Sequence, residues 1–342
     1  MNPSEFYKGK TILVTGGVGS IGSQLVKRLL EFEPDSIRVF DNNETGLFDL
    51  EHELNSERIR TLIGDIRDKN RLNMAFNTVD IVFHAAALKH VPLCECNPFD
   101  AVKTNVIGTQ NLIETALDHN IEKVINISTD KAVNPTNVMG ATKLLSERLI
   151  ISAFSYTGKR RTRFSNVRFG NVLNSRGSAI PLFRKQIQYG GPITVTDPQM
   201  TRFCMQIPDA VNLIITAGAI SQGRETFILK MPAFKIIDLA NVMREYYAPR
   251  LGKNPDDIRI EIIGKRDGEK VYEELMTEDE GQFAFENENM FMVLPPDFLT
   301  DKFQLNLPKG FSRSTKITLL SKNADICSKE MLHNMIAGFD MV

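Results

Sequence analysis

The chain has 342 residues, enough to bury a sizeable core and to fill roughly two domains of ordinary size. With 41 Lys+Arg against 42 Asp+Glu, its formal net charge of -1 gives no electrostatic reason to expect nucleic acid or an anionic membrane as the main partner. The four cysteines, Cys94, Cys96, Cys204 and Cys327, are too few for a disulfide framework, and their C-x-C pair is neither a redox C-x-x-C nor half of an ordinary zinc site.

The opening MNPSEFYKGK lacks the apolar centre of a secretory signal, and no run of 18 apolar residues follows. A soluble, cytoplasmic protein with reduced thiols is expected. From Thr11 to about Arg168, six short apolar runs alternate with helical patterns: TILVTG, IRVFD, IRTLIGD, DIVFHAA, KVINIST and TRFSNVRFG. This alternation is the signature of βαβ units and a parallel sheet covered on both faces. The fold class expected is therefore α/β, with a Rossmann-like doubly wound domain over residues 1-172 and a smaller substrate-binding α/β lobe over 173-342. In the lobe the spacing predicts helices around Ala179 to Tyr189, Asp209 to Ile220 and Ile237 to Tyr247, with strands at PITVTD, TFILK and IRIEIIG. From Gly281 to Leu305 the period is lost, and the segment reads as a loop-rich extension.

The first strand enters its helix through Gly16, Gly19 and Gly22, with Ser20 and Ile21 at the helix start. A diphosphate can approach backbone amides at a helix N-terminus only where no Cβ intervenes, so this junction predicts a dinucleotide site. Asp41 ends the second strand, some 20 residues on, where a carboxylate accepts from ribose hydroxyls and repels a 2′-phosphate. NAD rather than NADP is the expected cofactor. Asp65, followed by Ile66, suits either an adenine contact or a helix N-cap. Ala85, Ala86 and Ala87 are small enough for a chain passing under a nicotinamide ribose. His84 and His90 have no third ligand at matching spacing, so no metal is expected.

The fifth run delivers Ser128, Thr129, Asp130 and Lys131 at its C-terminal end, where open α/β sheets place their ligands. A helix beginning near Ala141 carries Lys143. Together the glycine loop, HAAALKHVP, STDKAVNPTNVMGATK, RFGNVLNSRGSAIPLF, DPQMTRF and GKRDGEKVYEEL resemble the extended short-chain dehydrogenase/reductase superfamily. Within it they are similar to the nucleotide-sugar 4,6-dehydratases that act on UDP-N-acetylglucosamine in polysaccharide and capsule biosynthesis. The resemblance spans about Lys10 to Leu275.

It implies oxidation of the sugar at C4 by NAD, loss of the C5 proton and the C6 hydroxyl as water, and return of hydride to C6. Lys131 would be the base and Asp130 the acid, beside Thr129. Both would need pKa values moved from their ordinary ranges. Met139 stands where the wider superfamily carries a tyrosine, leaving the proton of the C4 hydroxyl to an ordered water. Lys143, Lys89 and Asn105 would complete the cofactor contacts, Lys89 facing the substrate as well. For the nucleotide sugar the resemblance implies Asn171, Asn174, Arg176 and Ser178, near Arg168, with Arg202 and Arg266 as phosphate clamps and Glu269 on the nucleotide ribose. For any one of these residues a plain surface or salt-bridge role is equally open. A C4 epimerase and an inactive NAD-binding regulator are the alternative functions. A homo-oligomer paired through the helices around Ala101 to His119 and Ala141 to Thr157 is expected.

Overall fold

The computed structural model describes residues 2–175, 177–299 and 307–341, so Arg176 lies outside the described residues. All six expected strands are present: β1 (Thr11–Thr15), β2 (Ser36–Asp41), β3 (Ile59–Ile63), β4 (Ile81–His84), β5 (Lys123–Ile127) and β6 (Arg163–Arg168). They lie parallel in the order β3-β2-β1-β4-β5-β6. All five residues of β1 are buried, as a central strand covered by helices on both faces requires. The strand order reverses between β1 and β4, which opens a crevice at their C-terminal ends.

The sheet does not stop at β6. Thr226–Leu229 adds parallel to β6, and Met290–Val293, Ala284–Glu286 and Ser312–Arg313 follow antiparallel, giving ten strands. Two expectations change as a result. The segment after Gly281 is not a loop-rich extension where it is described: Phe285, Met290 and Met292 are buried in the main core. Nor does the sheet divide at residue 172, because four of its strands come from the second half of the chain. Short strands flanked by Asn and Glu carry little periodic signal, and their partners are supplied only by the folded sheet.

The lobe contains a three-stranded sheet of Asn171–Val172, Thr201–Met205 and Ala233–Lys235 and a parallel pair of Ile193–Val195 with Ile260–Ile262. The helices Ala179–Gln188, Ile236–Arg250 and Lys329–Ala337 pack around a second core that includes Phe183, Tyr246 and Leu332. One helix boundary is informative. The helix carrying Lys143 runs Val138–Ser152, starting before Ala141, because the Asn137 side chain caps it by accepting from Gly140 N at 2.8 Å. Gly140 looks like a helix breaker in sequence, but a Cβ there would sit 2.3 Å from Lys131 O. Its absence lets the helix lie directly against the turn Asp130–Ala132.

Candidate active site

A cavity of about 830 Å³ runs along the C-terminal ends of the strands, from Asp41 at one end to Lys131 and Ser178 at the other. Gly16, Gly19, Ser20, Ile21 and Gly22 form its floor, with Gly19 as the residue preceding the helix Ser20–Leu30. Gly16 adopts φ +67°, and a Cβ on it would stand 2.5 Å from Ala86 N, so the glycine loop packs directly on the Ala85–Ala87 wall. Asp41 lines the cavity, its two oxygens accepting from Val18 N at 3.2 Å and Asn43 N at 3.0 Å. Asp65 and Ile66 also line it. Of the two roles open to Asp65, the helix N-cap falls to Asp68 instead. A side-chain hydrogen bond from Arg67 holds the Asp65 carboxyl below its ordinary range.

Asn105 departs from expectation. It does not line the cavity; its Oδ1 accepts from Leu88 N at 2.8 Å and its Nδ2 donates to Leu88 O at 2.9 Å. It sits in a π-helical stretch, Lys103–Ile107, and so braces the loop carrying Lys89 rather than facing a ligand. His84 is likewise internal, bonded to Thr15 Oγ1 at 2.8 Å and Thr109 Oγ1 at 3.2 Å. Burial pushes its pKa down to about 3, so the ring is neutral. His90 lines the cavity mouth against Gly177. Among the described residues, no three His, Cys, Asp or Glu side chains are placed to hold a metal ion.

At the other end, Thr129, Lys131, Met139 and Lys143 line the wall. Asp130 is fully buried behind them and has no surface on the cavity. Its Oδ1 accepts from Thr129 Oγ1 at 2.9 Å and from Lys131 Nζ at 3.0 Å, while Oδ2 has no partner. Glu273 Oε1 stands 3.6 Å from the same ammonium. Burial lowers the pKa of Lys131, but Asp130 and Glu273 more than reverse this and hold it above its ordinary value. The charged form therefore prevails. Lys143 donates to Ile127 O at 2.7 Å, and burial, only partly offset by Glu147, pushes it down to about 8. Met139 is buried beside Cys94 and Ala101.

The substrate-side residues separate into two groups. Lys89, Asn171 and Ser178 line the cavity, and Asn171 Oδ1 and Ser178 Oγ are buried without partners. Asn174, Arg202, Arg266 and Glu269 do not line it. The Arg202 guanidinium is turned inward, donating to Thr201 O at 2.9 Å and pairing with Glu269 at 3.6 Å and Glu273 at 3.7 Å. Arg266 is exposed on the surface. Arg168 is 2 % exposed and saturated by Glu147, Glu280 and Leu275 O, which leaves it no donor for a phosphate.

Residues 12–295 match the family model described as polysaccharide biosynthesis protein. The chain belongs to this family. Within it, the sequence is 60% identical over 333 residues, 97% of each chain, to a Methanocaldococcus jannaschii protein named only as an uncharacterised membrane protein. It is 41% identical over 298 residues, 86% of each chain, to a UDP-N-acetylglucosamine 4,6-dehydratase (inverting) of Campylobacter jejuni. It is 40% identical, over 80% of each chain, to a protein of Rickettsia canadensis named UDP-glucose 4-epimerase. Among solved structures, Pen from Bacillus thuringiensis superposes with a TM-score of 0.90 at 45% identity, covering 97% of this chain and 98% of that one. Among the described residues, no helix is long and apolar enough to cross a membrane.

Several cavity-lining residues lie outside the motifs that carry the resemblance: Asn42, Gly64, Asp100 and Thr104. Ser128, the first residue of STDKAVNPTNVMGATK, gains a role from the fold, for its hydroxyl is buried without a partner at the cavity wall. It sits one residue before Thr129, and its orientation depends on β5 pairing with β6 through Ser128 N and Val167 O.

Proposed function

We propose that the chain is an NAD-dependent 4,6-dehydratase of a UDP-linked N-acetylhexosamine, with UDP-N-acetylglucosamine as its substrate. The observation that carries this reading is the 3.0 Å hydrogen bond between Lys131 Nζ and Asp130 Oδ1 at the end of β5. Elimination across C5 and C6 needs a neutral amine to take a proton and a protonated acid to release the leaving oxygen. The ion pair and that required pair differ by one proton moved along this bond. A single transfer therefore prepares both groups at once, although each is ordinarily charged at neutral pH.

The cavity fits a dinucleotide. Glycines floor the helix N-terminus, and Asp41 is anchored at the far end with its carboxylate on the cavity wall. Gly16, Gly19, Ser20, Ile21 and Gly22 would hold the diphosphate, Asp41 the adenosine ribose, and Asp65 and Ile66 the adenine. Ala85, Ala86, Ala87 and Lys143 would hold the nicotinamide ribose. Lys89, Asn171 and Ser178 would take the nucleotide sugar. When bound, the nicotinamide supplies reversible oxidation of the sugar at C4.

With a carbonyl at C4, the C5–H bond is acidified and the Lys131 amine takes its proton. The C6–O bond then breaks, and the oxygen leaves as water with a proton originating on Asp130. Thr129 carries that proton, because its hydroxyl both bonds Asp130 and lines the cavity. The step ends with Lys131 and Asp130 as an ion pair, the form favoured at rest. The same reading makes the protein a cytoplasmic enzyme working as an assembly of identical chains. Exposed Phe99, Val102, Ile107 and Leu145 on the expected pairing helices support that assembly.

Incubating the protein and NAD with UDP-N-acetylglucosamine in deuterated water tests the proposal by mass spectrometry. The expected product has lost one water and carries deuterium at C5. A product of unchanged mass, inverted at C4, would make the site that of an epimerase, the activity in the name of the Rickettsia relative.

A further inference from the structure

Asp130 and Lys131 head a line of charges whose further members the proposed chemistry does not use. Asp130, Lys131, Glu273, Arg202 and Glu269 alternate in sign from the end of β5 into the lobe, with the Lys131–Asp130 contact at 3.0 Å and the other three separations between 3.6 and 3.7 Å. Glu273 is 3 % exposed, and its Oε2 is buried without a partner. Leaving a buried carboxylate oxygen unsatisfied costs its desolvation, so its presence calls for a physical reason.

The backbone fixes Glu273 firmly relative to the turn it faces. Its N–H donates to Ser321 Oγ at 2.9 Å. Lys270 Nζ donates to Val133 O at 2.7 Å, and Asn134 Nδ2 donates to Glu274 Oε2 at 2.6 Å, so both flanks of Glu273 are tied to the residues just after Lys131. A lysine amine on a four-carbon stem has many rotamers, and ordering it costs conformational entropy. Asp130 alone, being the adjacent residue, constrains only one side.

We propose that Glu273 is the positioning residue of Lys131, an anion presented by the substrate lobe that pins the amine between two carboxylates at the cavity wall. This rests on Lys131 being the base of the proposed reaction. The charges facing Lys131 are Asp130 on its own turn, Glu273 on the lobe segment and Arg202 on Thr201–Met205. Lys143 lines the same cavity from the adjoining helix. Glu273 favours the ammonium form of Lys131 and Arg202 opposes it.

The test is competitive amine acetylation of the full chain across a pH series, with the Lys131 peptide quantified by mass spectrometry. Glu273→Gln is expected to speed Lys131 labelling several-fold at fixed pH, and Arg202→Gln to slow it. In parallel, the alkaline limb of the water-elimination profile should move to lower pH in Glu273→Gln and to higher pH in Arg202→Gln. Opposite signs are the signature, since loss of packing would move both variants the same way. Labelling of Glu273→Gln that tracks the parent chain overturns the proposal. If that variant does not fold, labelling of Arg202→Gln that is unchanged or faster overturns it. A parent chain that removes no water from UDP-N-acetylglucosamine, yet shows the paired labelling shifts, refutes the functional reading and leaves the positioning role standing.

Discussion

The buried ionic clusters around Arg168 and Lys131 are built oppositely. Around Arg168, two carboxylates chelate one guanidinium: Glu147 at 3.1 and 2.6 Å, Glu280 at 3.0 Å twice, with Leu275 O filling in at 2.8 Å. None of these side-chain oxygens or nitrogens is left unpartnered. Around Lys131, two carboxylates also flank one cation, but Asp130 Oδ2 and Glu273 Oε2 are both orphaned. The first cluster ties the helix Val138–Ser152 to the turn at Glu278–Gly281 and acts as a clasp. The second keeps unspent hydrogen-bonding capacity beside a cavity. Full satisfaction of a buried network rigidifies it, whereas incomplete satisfaction is tolerated where chemistry needs it.

The largest expected effect breaks the second cluster. Lys131→Ala should lower the rate of water elimination by about 10²- to 10⁴-fold, the range for removing a general base, with the far-ultraviolet dichroism unchanged. Turnover equal to the parent's would strip that cluster of its reactive role. Arg168→Met strikes the clasp and should act on stability instead, because it strands Glu147 in the core. A loss of about 3–5 kcal/mol is expected in urea denaturation, with turnover per folded molecule retained. Were activity lost and stability kept, the contrast between the clusters would be reversed.

Asp41 is an intermediate case, a carboxylate braced by amides but open to the cavity. Asp41→Ala should weaken NAD binding by about 1.5–3 kcal/mol and narrow its preference over NADP, as read by titration calorimetry. A further effect, confined to acid pH, concerns His84, which burial keeps neutral down to about 3, against 6.5 when unfolded. Between those values the unfolded chain binds the extra proton, so stability falls as pH drops through the window, by up to about 1.4 kcal/mol per pH unit. Replacing it, as His84→Gln, should flatten the pH dependence of the denaturation midpoint below pH ~6. A slope identical to the parent's would assign the acid sensitivity to other groups.

The legible parts of the chain were those governed by near neighbours. The runs at Thr11–Thr15 and Lys123–Ile127 announce buried strands through their own apolar content. Gly16 is required where a Cβ would meet Ala86, and its place before a helix marks the turn in sequence. Arg202, Arg266 and Glu269 lie off the cavity lining, which their types in sequence do not announce. A charged side chain shows its type in sequence but not its direction, and Arg202 spends its donors on Glu269, Glu273 and backbone carbonyls. Asn105 lies in the neighbourhood its sequence position implies, but its amide reaches Leu88 rather than open cavity.

By itself the sequence determined the alternation of β1 to β6, the glycine turn, and the adjacency of Asp130 and Lys131, because all of these rest on contacts a few residues apart. Only the tertiary structure decided that Glu273 would stand 3.6 Å from Lys131, that Asp130 would be sealed behind Thr129, and that strands after residue 225 would complete the sheet. Charge interactions and desolvation act through space and depend on separation and burial. The protonation state of the lysine therefore became readable only once the chain had brought its distant carboxylate home.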